Sequence, residues 1–142
     1  MKKTLLIAFF FLIGNVQAQS YSGHGDQRIQ IGTSFYGYGN GIKFTYGYGL
    51  TDLFSVGGGV TSIFKGDFGN IFFIYGRGDL HLNNALNLPK NIDLYSGLEL
   101  GILTSKKFGL HGHIGFRYLF SDKLGAFVEL GTNGSVGLVL KL

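Results

Sequence analysis

Apolar and polar side chains alternate along most of the chain after residue 26. In the first such stretch Ile29, Ile31 and Phe35 fall on one face, with Arg28 and Gln30 on the other. Alternation with a period of two over this length is typical of a β-strand with two unlike faces. The pattern recurs and predicts eight strands, over residues 27–36, 42–50, 53–64, 71–82, 91–103, 108–120, 124–131 and 135–142.

Short connections separate these strands. Glycine, asparagine, aspartate and serine dominate the connections, as tight turns require, for example at Asp52 and at residues 132–134. Two strands joined by so few residues pair with each other antiparallel. The 25 glycines of the chain also disfavour helices. The sequence therefore predicts an all-β fold, an eight-stranded antiparallel up-and-down β-barrel over residues 27–142.

The charged side chains of the predicted strands share one face. They lie opposite the apolar set at Arg28, Lys43, Arg77, Asp79, Asp93, Glu99, Arg117, Glu129 and Lys141. On the lipid face of a membrane barrel, an arginine or lysine costs about 2–4 kcal/mol at the bilayer midplane. We therefore expect a transmembrane barrel whose charge-free face contacts lipid. A soluble secreted ligand-binding barrel, with the reverse preference, is the less favoured alternative.

The first 18 residues have the pattern of a secretory signal peptide. Lys2 and Lys3 precede an apolar run over residues 5–16, and Ala18 ends a small-residue cleavage motif. The apolar run is shorter than the roughly 20 residues of a membrane-spanning helix. We expect residues 1–18 to be removed on export and residues 19–26 to form a flexible N-terminal tail.

The last predicted strand carries the most specific local motif. Gly137, Leu140 and Leu142 are spaced like the C-terminal insertion signal of outer-membrane barrels, in which the last residue is often phenylalanine. The chain thus resembles the small eight-stranded outer-membrane barrels typified by the OmpA membrane domain and OmpX. The resemblance implies a monomer in the outer membrane of a Gram-negative bacterium, in contact with outer-membrane lipid and lipopolysaccharide. It also implies delivery by periplasmic chaperones and the barrel-assembly machinery.

Two histidines and two glutamates form a candidate site in the lumen. His111 and His113 are two residues apart and share a strand face, and counting along the hairpins places Glu99 and Glu129 at a similar depth. A His-x-His pair with carboxylates can bind a divalent metal. The favoured interpretation is a polar network that neutralises buried charges without a metal or other cofactor. The predicted network comprises Arg77, Glu99, His111, His113, Arg117 and Glu129.

The predicted lumen has nearly equal numbers of cations and anions, which favours mutual pairing and a plugged barrel. We therefore expect a structural role in the cell envelope and no enzymatic activity. A narrow pore for ions or small solutes is the alternative, because many inward residues are glycine and lack side-chain volume.

Other functions are less favoured. A lipid A-modifying enzyme would need a histidine at the membrane rim, whereas His24 lies in the tail with Ser20, Ser22 and Asp26. The formal net charge of +4 is too small to favour nucleic acid. An even number of strands places both termini in the periplasm. The surface connections are then 37–41, 65–70, 104–107 and 132–134, which are short for an adhesin or receptor.

Overall fold

A computed structural model of the chain describes residues 19–37, 40–66 and 69–142. The predicted signal peptide lies outside these residues. The strands are β1 (Gln27–Tyr36), β2 (Gly41–Gly49), β3 (Phe54–Phe64), β4 (Asn70–His81), β5 (Ile92–Leu103), β6 (Phe108–Leu119), β7 (Leu124–Gly131) and β8 (Gly134–Lys141). One short helix, α1 (Asn83–Leu86), lies between β4 and β5. Within the described ranges, no helix is long and apolar enough to cross a membrane.

Each strand pairs antiparallel with its neighbours in sequence, and β1 pairs with β8 to close the barrel. The closing pair sets Arg28 opposite Lys141 and Gly32 opposite Gly137. The predicted fold, an eight-stranded antiparallel up-and-down barrel, is confirmed. The start of β1, the end of β8 and the connections β2–β3, β4–β5 and β6–β7 lie at one end of the barrel, termed the termini end. The remaining connections lie at the opposite end.

The outer wall of the barrel is apolar and exposed. Ile74 is 62% exposed, and Leu110 and Ile114 are each 61% exposed. Successive side chains of a strand point to opposite faces, so the alternate positions, such as Asp93 and Arg117, are buried inside. A continuous wall of large exposed apolar side chains is unsuited to water. The structure thus has the inside-out distribution that the charge pattern predicts.

Apolar side chains also fill parts of the lumen. Toward the opposite end, one buried cluster comprises Ile63, Phe73, Tyr75 and Leu103. Toward the termini end, a second comprises Leu119, Phe127 and Val139. The division into charged and charge-free faces does not predict these clusters, because apolar residues occur on both faces.

Residues 19–26 differ from the flexible tail that the sequence predicts, because they fold across the termini end. The ring of Tyr21 stacks on His81, with centroids 3.5 Å apart and planes at 5°. Its hydroxyl donates to the backbone oxygen of Thr51 at 2.5 Å and lies 3.0 Å from that of Phe54. A tyrosine that buries its ring and satisfies its hydroxyl stabilises a docked segment, whatever the glycine content around it.

Candidate functional site

The first group of charged residues in the lumen lies midway along the barrel. We term it the mid-barrel cluster, and it comprises Lys43, Arg77, Asp79, Glu99, His113 and Glu129. Five different strands supply these side chains, all from inward positions. The ammonium nitrogen of Lys43 lies 2.6 Å from Glu99 Oε1 and 3.2 Å from Glu129 Oε1. Lys43 on β2 thereby bridges the lumen to β5 and β7.

Arg77 is the central cation of the mid-barrel cluster. Its Nε donates to Asp79 Oδ2 (2.9 Å), and its Nη2 donates to Glu129 Oε2 (2.6 Å). Its Nη1 reaches Glu99 Oε1 at 3.3 Å. The planar guanidinium presents several donors in fixed directions, so one arginine can hold three carboxylates at once. Arg77 is 6% exposed, and these contacts offset the cost of burying its charge.

The two predicted histidines have different surroundings. Nε2 of His113 lies 2.6 Å from Asp79 Oδ1, inside the mid-barrel cluster. His111 lies one step nearer the opposite end, where its ring packs on Phe73 with centroids 4.6 Å apart. Asn133 Nδ2 donates to His111 Nδ1 at 2.7 Å. His111 Nδ1 lies 4.0 Å from Glu99 Oε2 of the mid-barrel cluster.

One triad of potential metal ligands falls within this cluster. Ligand atoms of Glu99, His113 and Glu129 lie within 4.8 Å of one another. Both carboxylates already accept hydrogen bonds or ion pairs from Lys43 and Arg77. A divalent cation would have to displace these resident positive charges or sit against them. The chemistry of the donor set therefore favours an ion-pair network over a metal centre.

A second group of charges lies near the barrel mouth that holds the termini. We term it the termini-end cluster, and it comprises Asp26, Arg28, His81, Asp93, Arg117 and Lys141. Asp26 pairs with Arg28 Nη1 at 2.8 Å and with Lys141 Nζ at 3.0 Å. Asp93 pairs with His81 Nδ1 at 2.9 Å and with Arg117 Nη1 at 2.5 Å. Arg117, expected in one network with His113, belongs to this second group.

Tyr95 separates the two clusters and is fully buried. Its hydroxyl donates to Glu129 Oε2 of the mid-barrel cluster at 3.1 Å. The guanidinium carbon of Arg117, from the termini-end cluster, lies 3.9 Å from the centre of its ring. This distance and position are those of a cation–π contact.

The structure thus brings together Arg77, Glu99, His113 and Glu129 of the predicted network. It places His111 at the edge and Arg117 in the other cluster. Sequence reasoning left three further contributors out of the network: Lys43, Asp79 and Tyr95. The sequence pattern could have included Lys43 and Asp79, because both are charged and lie at inward positions. Tyr95 shares the same strand face as Glu99 but has no charge to mark it.

Three of the inward glycines face large side chains of the lumen. A Cβ atom built on Gly115 would collide with the ring of Tyr95, and one on Gly59 would lie 2.7 Å from the hydroxyl of Tyr75. One on Gly47 would lie 3.0 Å from the guanidinium carbon of Arg28. The space that these glycines leave is therefore occupied by rings and guanidinium groups from other strands.

Two titratable groups of the docked tail have shifted pKa values. Burial raises the pKa of the Tyr21 hydroxyl to about 12. Burial alone would also raise the pKa of the Asp26 carboxyl, but Arg28 and Lys141 outweigh it and hold that pKa below its ordinary value. Tyr21 is therefore neutral and Asp26 charged when the tail is docked at neutral pH.

The remaining candidate residues lie in the tail and at the C-terminal end of the chain. In the tail, Ser22 Oγ donates to Asp26 Oδ2 (2.9 Å), whereas His24 Nδ1 lies 3.1 Å from the backbone oxygen of Leu50. These contacts do not form a relay from serine through histidine to a carboxylate. Leu140 on β8 is 43% exposed, and Leu142, which follows β8, is 60% exposed. Their role in an insertion signal stays a prediction.

An exposed apolar wall around buried, paired charges defines the class of eight-stranded transmembrane β-barrels. The chain belongs to DUF6646, a family of unknown function, which matches residues 9–135. No curated protein matches the chain.

Two solved structures are similar to it, each at 14% sequence identity and over 85% of this chain. One comes from the de novo design of transmembrane β-barrels, with a TM-score of 0.68 and 98% of its own chain covered. The other is the N-terminal β-barrel domain of Pseudomonas aeruginosa OprF, with a TM-score of 0.63 and 100% covered. At this identity the likeness shows the fold.

Proposed function

We propose that the protein is a monomeric outer-membrane barrel with a closed lumen and a structural role in the cell envelope. The termini end lies in the periplasm and the opposite end at the cell surface. The apolar outer wall and the C-terminal Gly137–Leu142 segment support the location. The likeness of the fold to the OprF barrel domain is consistent with it.

The observation that carries the closed lumen is the set of ion pairs that cross it. Lys43 on β2 contacts Glu129 on β7, and Arg77 on β4 contacts the same carboxylate from the other side. These bridges connect strands that are not neighbours in the barrel. They lie between the apolar clusters described above, so charged and apolar layers follow one another along the lumen.

A narrow pore is the second candidate, and the inward glycines are the observation that favours it. Side chains from other strands fill the space above Gly47, Gly59 and Gly115, as described above. At these three positions the missing side-chain volume therefore leaves no open path through the lumen. This is why we favour the closed barrel.

Planar bilayer recording tests the choice between the two functions. The protein is refolded in detergent, and its folding is checked by heat-modifiable migration on gels before reconstitution. We expect a baseline without conductance steps, under conditions in which a general porin gives steps. Stable steps from the folded protein, altered in Glu99→Gln, would establish the pore instead.

Single cysteines test the location and orientation, because the chain has none of its own. Ser105 lies in the β5–β6 connection and Asp122 in the β6–β7 connection, so they mark opposite ends of the barrel. A membrane-impermeant maleimide added to intact cells should label Ser105→Cys and spare Asp122→Cys. Both should be labelled after the outer membrane is permeabilised. Labelling of Asp122→Cys alone in intact cells would reverse the proposed orientation.

A further inference from the structure

The outer wall is not uniformly covered by side chains. Between β4, β5 and β6 lies a groove of about 530 Å³, lined by Ile74, Gly76, Leu100, Ile102 and Phe108 among others. Gly76 is exposed and bares the backbone at this position. A Cβ built on Gly76 would meet only the backbone oxygen of Gly57, at 3.8 Å. The barrel therefore does not need a glycine there, and a strand glycine often marks close approach by another molecule.

A smaller depression adjoins the groove at the opposite end of the barrel. It measures about 200 Å³, and its lining includes Lys65, Ser105 and Lys107. Leu103 and Phe108 line both the groove and the depression. Ile63 and Leu103 of the lumen cluster also line the depression, so it opens at the barrel mouth. The groove on the outer wall ends beside the β5–β6 connection, which carries Lys106 and Lys107 as a basic rim.

Positive charge at the opposite end is confined to this side. Lys65, Lys106 and Lys107 lie in the β3–β4 and β5–β6 connections, which flank β4 and β5. One acidic residue, Asp67, occurs in these connections, and residues 37–41 and 132–134 have no charge. Lys106 has φ 65°, a left-handed conformation that lysine rarely adopts and that glycine or asparagine would adopt more easily. A lysine at this position is therefore not explained by the turn itself.

We propose that the groove and its basic rim bind one phosphorylated, acylated glycolipid of the outer leaflet. An acyl chain lies in the groove over Gly76, and a phosphate contacts Lys107 and Lys106, with Lys65 nearby. Lipid tails are as apolar as the groove, so the groove supplies shape and the lysines supply the preference for this lipid. Lysine binds phosphate as a point charge. This inference rests on the proposed location in the outer membrane.

Native mass spectrometry of the refolded, heat-modifiable protein in detergent tests the proposal. The probes are bis-phosphorylated lipid A, its dephosphorylated form, and phosphatidylglycerol. We expect one lipid A to bind, with much weaker binding of the dephosphorylated form and of phosphatidylglycerol. K106Q/K107Q should lower lipid A affinity by roughly thirtyfold, about fivefold for each charge near a membrane surface.

Matched variants distinguish binding at this site from nonspecific electrostatic or apolar binding elsewhere on the barrel. K90Q/K123Q removes two exposed lysines from the termini end and should leave lipid A affinity unchanged. G76L should fill the groove and weaken binding, whereas G112L, at an outward glycine outside the lining, should not.

Three results would overturn the proposal: equal binding of phosphatidylglycerol, equal effects of the two lysine pairs, or unchanged affinity in both K106Q/K107Q and G76L. If the protein folds as a heat-modifiable, detergent-dependent barrel and yet gives one of these results, the proposed lipid site is wrong and the proposed function stands. If it stays soluble without detergent, the proposed function fails as well.

Discussion

The mid-barrel cluster and the termini-end cluster are both groups of buried, paired charge, but they are completed differently. Every member of the mid-barrel cluster lies on a barrel strand. The termini-end cluster includes Asp26 from the tail, and Tyr21 covers it by stacking on His81. The barrel thus closes its middle with its own strands and closes one mouth with a separate segment.

This difference has a consequence for stability. A charge removed from the mid-barrel cluster leaves partners fixed on strands, which cannot turn to water without opening the barrel. Removal of Arg28 from the termini-end cluster leaves Asp26 on a short segment that can swing away and be solvated. The first change should affect the whole barrel, and the second mainly the tail.

Arg77→Met should give the largest effect. It leaves Asp79, Glu99 and Glu129 with one fewer cation, and breaking a buried ion pair in this way costs about 3–5 kcal/mol. Arg28→Met should lower the free energy of unfolding by only about 1–2 kcal/mol, because Asp26, which loses its partner, can move into water. Reversible urea unfolding in lipid vesicles, followed by heat-modifiable migration, measures both. Equal losses would remove the distinction between the clusters.

Gly115→Ala should have the next largest effect, through the tyrosine that separates the clusters. The new methyl group would displace the ring of Tyr95, and overpacking of this kind costs about 1–3 kcal/mol. Gly112→Ala is the matched control, because a Cβ at that outward position meets only Leu98 Cδ2, at 3.7 Å. We expect the control to change the free energy of unfolding by less than about 0.5 kcal/mol. Equal stability of the two variants would show that Tyr95 is not held against Gly115.

Asp26→Asn should loosen the tail and leave the barrel nearly intact. The asparagine cannot pair with Arg28 and Lys141 as a charge, so docking should weaken by about 1–3 kcal/mol. Hydrogen exchange of the amides of Ser20 and Gly25, which bond to Lys90 and Gly49, reports on docking. Their protection should fall while amides in the middle of β4 and β5 keep theirs. A matching loss on those strands would make the tail part of one cooperative unit.

The smallest effect is a pH dependence of tail docking. The lowered pKa of Asp26 gives a contribution that is present above its undocked value, about 4, and lost as pH falls through the docked value. The raised pKa of Tyr21 gives a contribution that is present below about pH 10 and lost as pH rises toward 12. Protection of the Ser20 amide, corrected for intrinsic exchange, should be greatest between these limits. In Asp26→Asn the loss of Ser20 protection at low pH should disappear. If that loss persists, another titrating group causes it.

The fold was predictable because alternation is a local property. A slip of one residue moves every charge of a strand to the lipid face, so the pattern fixes both the strand bounds and their orientation. Neighbouring pairs in register follow directly, as for Arg77 opposite Glu99. This is why the predicted and observed strand ends agree within one residue.

Contacts across the lumen could not be predicted in the same way. They depend on the stagger and tilt of all strands together, which bring Lys43 on β2 to Glu99 on β5 and Arg117 on β6 to Gln30 on β1. The predicted network also included Arg117, although its carboxylate partner is Asp93, the residue directly opposite it on the β5–β6 hairpin. That pair was open to prediction from the register, unlike the contacts across the lumen. Docking of the tail escaped prediction for a related reason, since it depends on where the ring of Tyr21 meets His81.

The closed lumen is tested most directly by hydrogen exchange at the arginine side chains. The chain has three arginines, Arg28, Arg77 and Arg117, and all three are buried in the lumen. Nuclear magnetic resonance of the folded protein in nanodiscs therefore observes only lumen guanidinium groups in the arginine Nε–H region. We predict exchange at Arg77 and Arg117 slower than in free arginine by roughly a hundredfold or more. Exchange at the free rate would show a water-filled passage and contradict the closed barrel.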